Sequence, residues 1–368
     1  MKFICNKNEI SEAIGNVSKA VSSKSPVPAL EGIKLKLKEN ILQLTGYDLE
    51  LGIKTEIQVK SDDSGEFIIN ARLFNEIIKK MPADEISIEV NEKLNVSIIC
   101  NFVQYSVSAL PADEYPELPE ISRDNSVTVS QGILKNMINQ TIYAVSSNDN
   151  KPILTGELFD IDENGNFSMV ALDGFRLAVR NEKIQCSEKY SFVVPSKALY
   201  EISKLLSDDE ESCCSFCTNG KHIIFDISGY TVFSRLLDGE FHNYRSSIPS
   251  DFSTEVIIRT RELTDALDRC SLLISEKNKA PIKCIFSDGQ LNISCQTPVG
   301  RINDELQADI NGNAVTIGFN SRFAIEALKS ADTDSIRLQM NGGNRPIKLL
   351  PMMGESFVYL LMPVTLRN

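Results

Sequence analysis

The amino-acid sequence predicts an α+β protein of three repeated domains, each with two helices on one face of antiparallel sheets. Three observations predict it. Stretches 3–22, 127–146 and 256–275 align without gaps. Stretches 68–81, 193–206 and 318–330 align as well, with Asn70, Pro195 and Asn320 spaced by 125 and 125 residues. Between the two sets lies alternating apolar–polar text broken by turn residues, at 33–46, 157–171 and 282–295. A period of about 120 residues is too long for a solenoid unit and matches one compact domain.

Each repeat opens with a short apolar strand that runs into an amphipathic helix. Ile10, Leu134 and Leu263 are followed four residues later by Ile14, Ile138 and Leu267, a spacing that puts both on one buried face. The alternating stretches carry the hairpin signature, strongest where Asn-Gly or Asp-Gly interrupts them. The second helices are expected at 70–81, 195–206 and 320–330, with Asn as cap and Pro195 as a first helical residue. Further hairpin text follows, as at 215–227. Each repeat therefore reads β-α-β-β-β-α and then more strands. Polar breaks near 121–126 and 248–253 divide the chain into domains 1–121, 127–248 and 253–368.

Composition narrows the function. No run approaches the roughly 18 apolar residues of a membrane helix, and the first residues lack an apolar export signal. Nine scattered cysteines, an odd number, argue against a disulfide framework and for a reducing cytoplasm. Two histidines leave little neutral-pH base or metal chemistry. Neither nucleotide-binding glycine fingerprint is present, and there is no nucleophile elbow. The run Cys213, Cys214, Cys217 and His222 reads as a buried strand entering a turn; the alternative is a zinc hydrolase built on Cys213, Cys217 and His222. Asp208-Asp209-Glu210-Glu211 and Asp62-Asp63 read as solvated loops, and Asp48 and Asp173 as turn residues.

Charge supplies the remaining signal. The chain holds 38 Lys+Arg against 50 Asp+Glu, a net −12, yet the second helices together hold seven cations and three anions. In each, a cation stands two residues after the cap position: Arg72, Lys197 and Arg322. The first helices carry more acid than base, while Lys24, Lys151, Lys277 and Lys279 follow their ends.

Several motifs resemble the bacterial DNA polymerase III beta subunit family, the sliding clamps. They are Thr45-Gly46-Tyr47-Asp48-Leu49-Glu50, Leu172-Asp173-Gly174-Phe175-Arg176-Leu177-Ala178, Leu237-Asp238-Gly239-Glu240-Phe241 with Tyr244-Arg245, and Leu361-Met362-Pro363-Val364. Met1-Lys2-Phe3, Pro28-Ala29-Leu30 and Leu110-Pro111-Ala112-Asp113-Glu114-Tyr115-Pro116 fit as well, in order over the whole chain. The resemblance implies three DNA-clamp domains per chain and a head-to-tail homodimeric ring around duplex DNA. It implies no catalysis, cofactor or metal. Held by topology, such a ring needs only a weakly positive lining inside an acidic body, which accounts for the charge pattern.

By position, the resemblance implies DNA contacts at Lys24, Arg72, Asn148, Lys151, Lys197 and Arg245. It implies a partner-peptide pocket from Leu154, Gly174, Phe175, Arg176, Leu177, His242, Pro346, Leu360, Met362, Pro363 and Val364. Replicative polymerase, clamp loader and other proteins bearing a clamp-binding motif would compete for it. Phe175 and His242 stand where the family often has His and Pro, Thr365 where Arg is common, and Arg367-Asn368 extend the tail; these bear on peptide preference. Tyr105 and Val107 at one end, and Leu272 and Leu273 at the other, match the family's dimer contacts. A non-ring scaffold of three peptide-binding domains shares the repeats and predicts a monomer.

Overall fold

A computed structural model describes all residues except 83, 149, 276–279 and 367–368. The first repeat runs β1 (Lys2–Asn6), α1 (Lys7–Val17), β2 (Gly32–Lys38), β3 (Ile41–Tyr47), β4 (Leu51–Gln58), β5 (Gly65–Asn70), α2 (Ala71–Lys80), β6 (Glu85–Val90), β7 (Asn95–Cys100) and β8 (Val103–Ser108). The second runs β9 (Val127–Ser130), α3 (Gln131–Thr141), β10 (Gly156–Ile161), β11 (Asn166–Leu172), β12 (Arg176–Lys183), β13 (Tyr190–Pro195), α4 (Ser196–Leu205), β14 (Cys213–Thr218), β15 (His222–Ile227) and β16 (Tyr230–Arg235). The third runs β17 (Thr254–Arg259), α5 (Thr260–Ser271), β18 (Ile282–Ser287), β19 (Gln290–Thr297), β20 (Gly300–Gln307), β21 (Asp309–Gly312), β22 (Val315–Phe319), α6 (Ser321–Ser330), β23 (Ser335–Met340), β24 (Ile347–Leu350) and β25 (Phe357–Leu361).

The helix pairs fall where the periodicity puts them, and Ile10, Ile14, Leu134, Ile138, Leu263 and Leu267 are all buried. Asn70 and Asn320 cap α2 and α6, accepting from the N–H groups of Leu73 and Arg322, both at 3.0 Å. Two details differ from the sequence reading. Pro195 is the last residue of β13, one position ahead of the helix rather than its first residue. The strand count between the helices is also higher: the third repeat adds β21, and an additional strand precedes each second helix, namely β5, β13 and β22. Its apolar text is continuous with the cap and the helix, so no turn residue marks its end.

The described chain forms two compact units, Met1–Gly132 with Glu201–Leu236, and Ile133–Tyr200 with Leu237–Asn368. The first unit holds a four-stranded sheet, β1-β6-β7-β8, and an eight-stranded sheet, β5-β2-β3-β4-β16-β15-β14-β9. The second holds a nine-stranded sheet, β13-β10-β11-β12-β25-β24-β23-β17-β21, and a four-stranded sheet, β20-β19-β18-β22. Each large sheet joins strands of two successive repeats. The seam is β4 against β16 in one unit, with Leu51 opposite Ser234, and β12 against β25 in the other, with Arg176 opposite Leu361. In the second unit α5 and α6 pack on the sheet face carrying Phe357, Tyr359 and Leu361. Val358 and Leu360 point the other way and join a separate apolar cluster with Leu154, Leu177 and Tyr244.

Candidate functional site

The second unit contains a cleft of about 1160 Å³ at the turn from β11 to β12. Asp173 builds that turn: its Oδ1 accepts from the N–H groups of Phe175 (2.8 Å) and Arg176 (3.0 Å). Gly174 has φ +91°, the left-handed region that glycine enters without steric cost. The turn leaves Phe175 63% exposed while Arg176, one residue on, is buried.

Arg176 is held from four sides. Its Nε donates to Asp173 Oδ2 at 3.1 Å and its Nη1 donates to Glu326 of α6. The guanidinium lies 4.4 Å from the Phe323 ring centre and 5.4 Å from that of Tyr143. Phe323 in turn stacks on Phe175, with centroids 6.3 Å apart. Glu326 also accepts from Arg322 at 2.8 Å. Burial works to raise the Glu326 carboxyl, but Arg322 and Arg176 outweigh it and hold it below the usual carboxylate value. Burial drives the Tyr143 phenol well up, and among the described residues its hydroxyl has no partner.

Five of the expected pocket residues line this cleft: Leu154, Gly174, Phe175, Arg176 and His242. Leu177 and Leu360 are strand partners within the apolar cluster that also contains Leu154. Met362 donates its N–H to the Phe175 carbonyl at 2.8 Å, fixing the start of the tail beside the turn. Pro346, Pro363 and Val364 are not in the lining; Val364 donates to the Gly318 carbonyl at 2.7 Å and carries the tail along β22. The sequence reading missed Tyr143, Phe323 and Glu326 as cleft residues. The register of Glu326 with Glu76 and Glu201 was visible, but a partner 150 residues away was not.

Among the expected DNA contacts, Arg72 and Lys197 are exposed on α2 and α4, and Lys24 is exposed in the loop between α1 and β2. Asn148 and Lys151 belong to the wall of the cleft itself. Arg245 is engaged on the sheet face away from α5 and α6, paired with Asp160 at 2.8 Å and stacked on Tyr244. The second-helix cations also meet carboxylates of their own helices: Arg72 with Glu76, Lys204 with Glu201, and Arg322 with Glu326. Lys277 and Lys279, and the Arg367-Asn368 tail, lie outside the described residues.

Comparison with known proteins agrees along the whole chain. Residues 1–119, 128–243 and 245–365 match the N-terminal, central and C-terminal domains of the DNA polymerase III beta subunit. The beta sliding clamp of Bacillus subtilis (strain 168) is 33% identical, covering 99% of both chains.

The chain belongs to the DNA polymerase III beta subunit family, the sliding clamps.

The crystal structure of the Bacillus subtilis DNA polymerase sliding clamp superposes with a TM-score of 0.96 at 32% identity, covering 100% of each chain. That of a putative DNA polymerase III beta subunit from Eubacterium rectale does so at 0.95 and 33%, covering 99% of each. The three repeats are thus three clamp domains.

Among the strands that end the sheets of the described chain are β8 and β20. β8 ends the first unit's small sheet, with Tyr105 exposed and Val107 half-buried. β20 ends the second unit's small sheet. Beside it Leu272 is 84% exposed, and a Cβ placed on Gly300 would meet Leu273 Cδ2 at 3.7 Å. Exposed edges this long invite pairing with another chain.

The cysteine-rich run is strand, as expected, but it is not buried throughout: Cys213, at the start of β14, is exposed, and His222, at the start of β15, is half-buried. Cys214 and Cys217 are buried in β14, and burial pushes the Cys214 thiol up to about 12. Asp208 to Glu211 are exposed, and Asp48 closes a turn by accepting from Leu51 N–H at 2.7 Å. Among the described residues no helix is long and apolar enough to cross a membrane.

Proposed function

We propose that this clamp-family chain joins a second copy head to tail into a ring around duplex DNA, serving as the processivity factor of the replicative polymerase. The observation that carries the reading is a repeated seam with one member missing. The β4–β16 and β12–β25 seams use equivalent strands of successive repeats. The next pair in the series is β20 with β8, and neither has a partner on its open side in the described chain. Leu51, Arg176 and Arg301 are spaced by 125 residues, and Val107, Ser234 and Leu361 by 127. Carrying the register over sets Arg301 opposite Val107 of the second copy, and Asn303 opposite Tyr105. Such heterologous contacts close when the rotation permits.

Function follows from the ring. The cationic bias of α2, α4 and α6 suits a lining that attracts phosphates without reading bases. Lys24, Arg72, Asn148, Lys151 and Lys197 serve as DNA contacts; Arg72 has to leave Glu76, and Arg245 has to leave Asp160, to join them. The cleft at Phe175 takes a short peptide from polymerase, clamp loader or another clamp-binding protein, with apolar anchors against Leu154, Leu177 and Leu360 and an aromatic one against the Phe175–Phe323 stack. Pro346, Met362, Pro363 and Val364 frame it. The domains are 1–121, 127–248 and 253–368. The protein is cytoplasmic and binds without catalysis or cofactor.

The test is a cysteine pair. Val107→Cys with Arg301→Cys, in a Cys213→Ser background, should oxidise to a covalent species of twice the 40.9 kDa chain mass. Tyr105→Cys with Arg301→Cys, out of register, should not. A persistent monomer, or equal linking in both pairs, would favour the monomeric scaffold or a different interface.

A further inference from the structure

We propose that Glu157 is a positioning residue for the peptide cleft: neutral, it clasps the base of the loop that walls the cleft, and ionised, it releases that loop. The inference rests on the peptide reading of the cleft. α3 ends at Thr141 and β10 begins at Gly156, so residues 142–155 leave the helix and return to the sheet as one loop. Tyr143, Val145, Ser146, Asn148, Lys151 and Leu154 of this loop line the cleft. The two ends of the loop meet side chain to side chain, with the Thr141 hydroxyl hydrogen-bonded to Glu157 Oε2. Thr141 is also where the helical path breaks, with φ −121° and ψ −33°. Further out, the Ser146 N–H donates to the Leu154 carbonyl at 2.8 Å and ties the two arms together.

The carboxyl stands where the other repeats bury a hydrocarbon. Ile69, Val194 and Phe319, each just ahead of a second helix, lie opposite Ile33, Glu157 and Ile282. Both of those isoleucines are fully buried, and so is Glu157. Burying a polar group in an isoleucine site costs free energy that its hydrogen bond only partly offsets. What the site gains is a link to Thr141 that isoleucine cannot make.

Proton counting ties the clasp to the ionisation state. The Thr141 hydroxyl has one proton and three acceptors in reach: Glu157, the Met137 carbonyl at 2.8 Å and the Ile138 carbonyl at 3.4 Å. A neutral Glu157 brings a second proton, enough to keep both the clasp and the bond to Met137. An ionised Glu157 has to draw the hydroxyl proton away from the helix, and its Oε1 stays buried with no partner among the described residues. No charged group offsets the charge. The surrounding elements carry Lys135 on α3, Asp160 on β10, Tyr190 on β13, Lys197 on α4, and Tyr143 and Lys151 on the loop. Burial and the Thr141 bond alone displace the carboxyl, up to about 8. An unpaired buried charge is expensive, so the ionised side chain reaches water by parting from Thr141, and the arms of the loop part with it.

The experiment has two readouts on the full-length chain. The first is the affinity of a peptide from the C-terminal tail of a replicative polymerase, by isothermal titration across pH. With only the neutral form competent, the dissociation constant should rise about tenfold between about pH 6 and about pH 9. Glu157→Gln keeps a donor for Thr141 at every pH, so its affinity should be flat. Glu157→Ile restores the residue of the other repeats and removes the clasp; it should be flat as well, and weaker than Glu157→Gln throughout. The second readout is hydrogen exchange of amides 142–148 against those of α5, corrected for the intrinsic pH dependence. It should show the loop losing protection above about pH 8 in the parent and not in Glu157→Gln. No pH slope in the parent's affinity, or an equal slope in Glu157→Gln, would overturn the proposal. A peptide that binds at no pH would remove the peptide reading by itself, and the exchange then decides the clasp: deprotection confined to the parent sustains it, and equal protection in both ends it.

Discussion

Replacing Leu272 perturbs the proposed ring at its most exposed large apolar position beside the β20 edge. Its side chain is 84% exposed in the single chain, so nearly all of its burial is available to a partner surface. Fully burying a leucine contributes about 1.5–3 kcal/mol. A head-to-tail dimer contains two such contacts, so Leu272→Ala should cost about 3–6 kcal/mol of dimer stability, or roughly 10²- to 10⁴-fold in dissociation constant. Leu272→Asp adds the cost of desolvating an unpaired carboxylate, several kcal/mol per site, and should leave monomers at micromolar concentration. With Leu273→Asp added, no dimer should form at any practical concentration. Sedimentation equilibrium over a wide concentration range reads these changes directly, and unchanged circular dichroism confirms that the repeats still fold. A dissociation constant for Leu272→Ala within about twofold of the parent, with Leu272→Asp still dimeric, would refute the assignment.

Three other outcomes follow from particular residues. Glu157 is buried in β10, takes a hydrogen bond from Thr141, and is pushed up from 4.5 to about 8, burial being the main cause. The folded chain therefore holds a proton that the unfolded chain releases, so stability falls as pH rises from about 4.5 to about 8 and levels off above, by an amount on the order of 5 kcal/mol. Glu157→Gln should flatten that slope in denaturant melts across the range; a slope that persists would assign it to other groups. Arg176→Met should leave the Asp173 carboxylate without its ion-pair partner and Glu326 with Arg322 alone, costing about 3–5 kcal/mol, and weaken a polymerase-derived peptide by isothermal titration; undiminished affinity would remove Arg176 from the groove. Deleting residues 362–368 removes the strand-like bonds from Met362 to Phe175 and from Val364 to Gly318. It should abolish peptide binding while the dimer mass is kept, and full binding by the truncated chain would show that the tail takes no part.

What the sequence disclosed was local or periodic. The helices were legible because Ile10 and Ile14, with their counterparts, recur at i and i+4, and because Asn70 and Asn320 cap as that residue type does. The hairpins were legible from their turns. β5, β13 and β22 escaped because the strand text flows into the helix cap without a breaker. Seam pairing escaped as well: Leu51 meets Ser234 and Arg176 meets Leu361 across more than one repeat, and no local signal specifies a partner at that distance. The same limit hid the Arg176–Glu326 pair and the ring of Tyr143 beneath it. Position by resemblance named Phe175, Arg176 and Leu154 for a peptide pocket and Asn148 and Lys151 for DNA; all five line one cleft, and that juxtaposition was not visible in the sequence. Charge counting found the bias of the second helices but not that Arg72, Lys204 and Arg322 each face a carboxylate one turn away.

The central claim is that the chain is held on DNA by encirclement. The most direct measurement assembles the Val107→Cys, Arg301→Cys protein on a nicked circular plasmid, locks it by oxidation, and passes it over a sizing column in high salt before and after the plasmid is cut once. The account predicts protein that co-elutes with the circle and is lost on linearisation, with no retention when the cysteines are kept reduced and the dimer is diluted. Equal retention on circle and linear DNA, or none on either despite complete cross-linking, would contradict it.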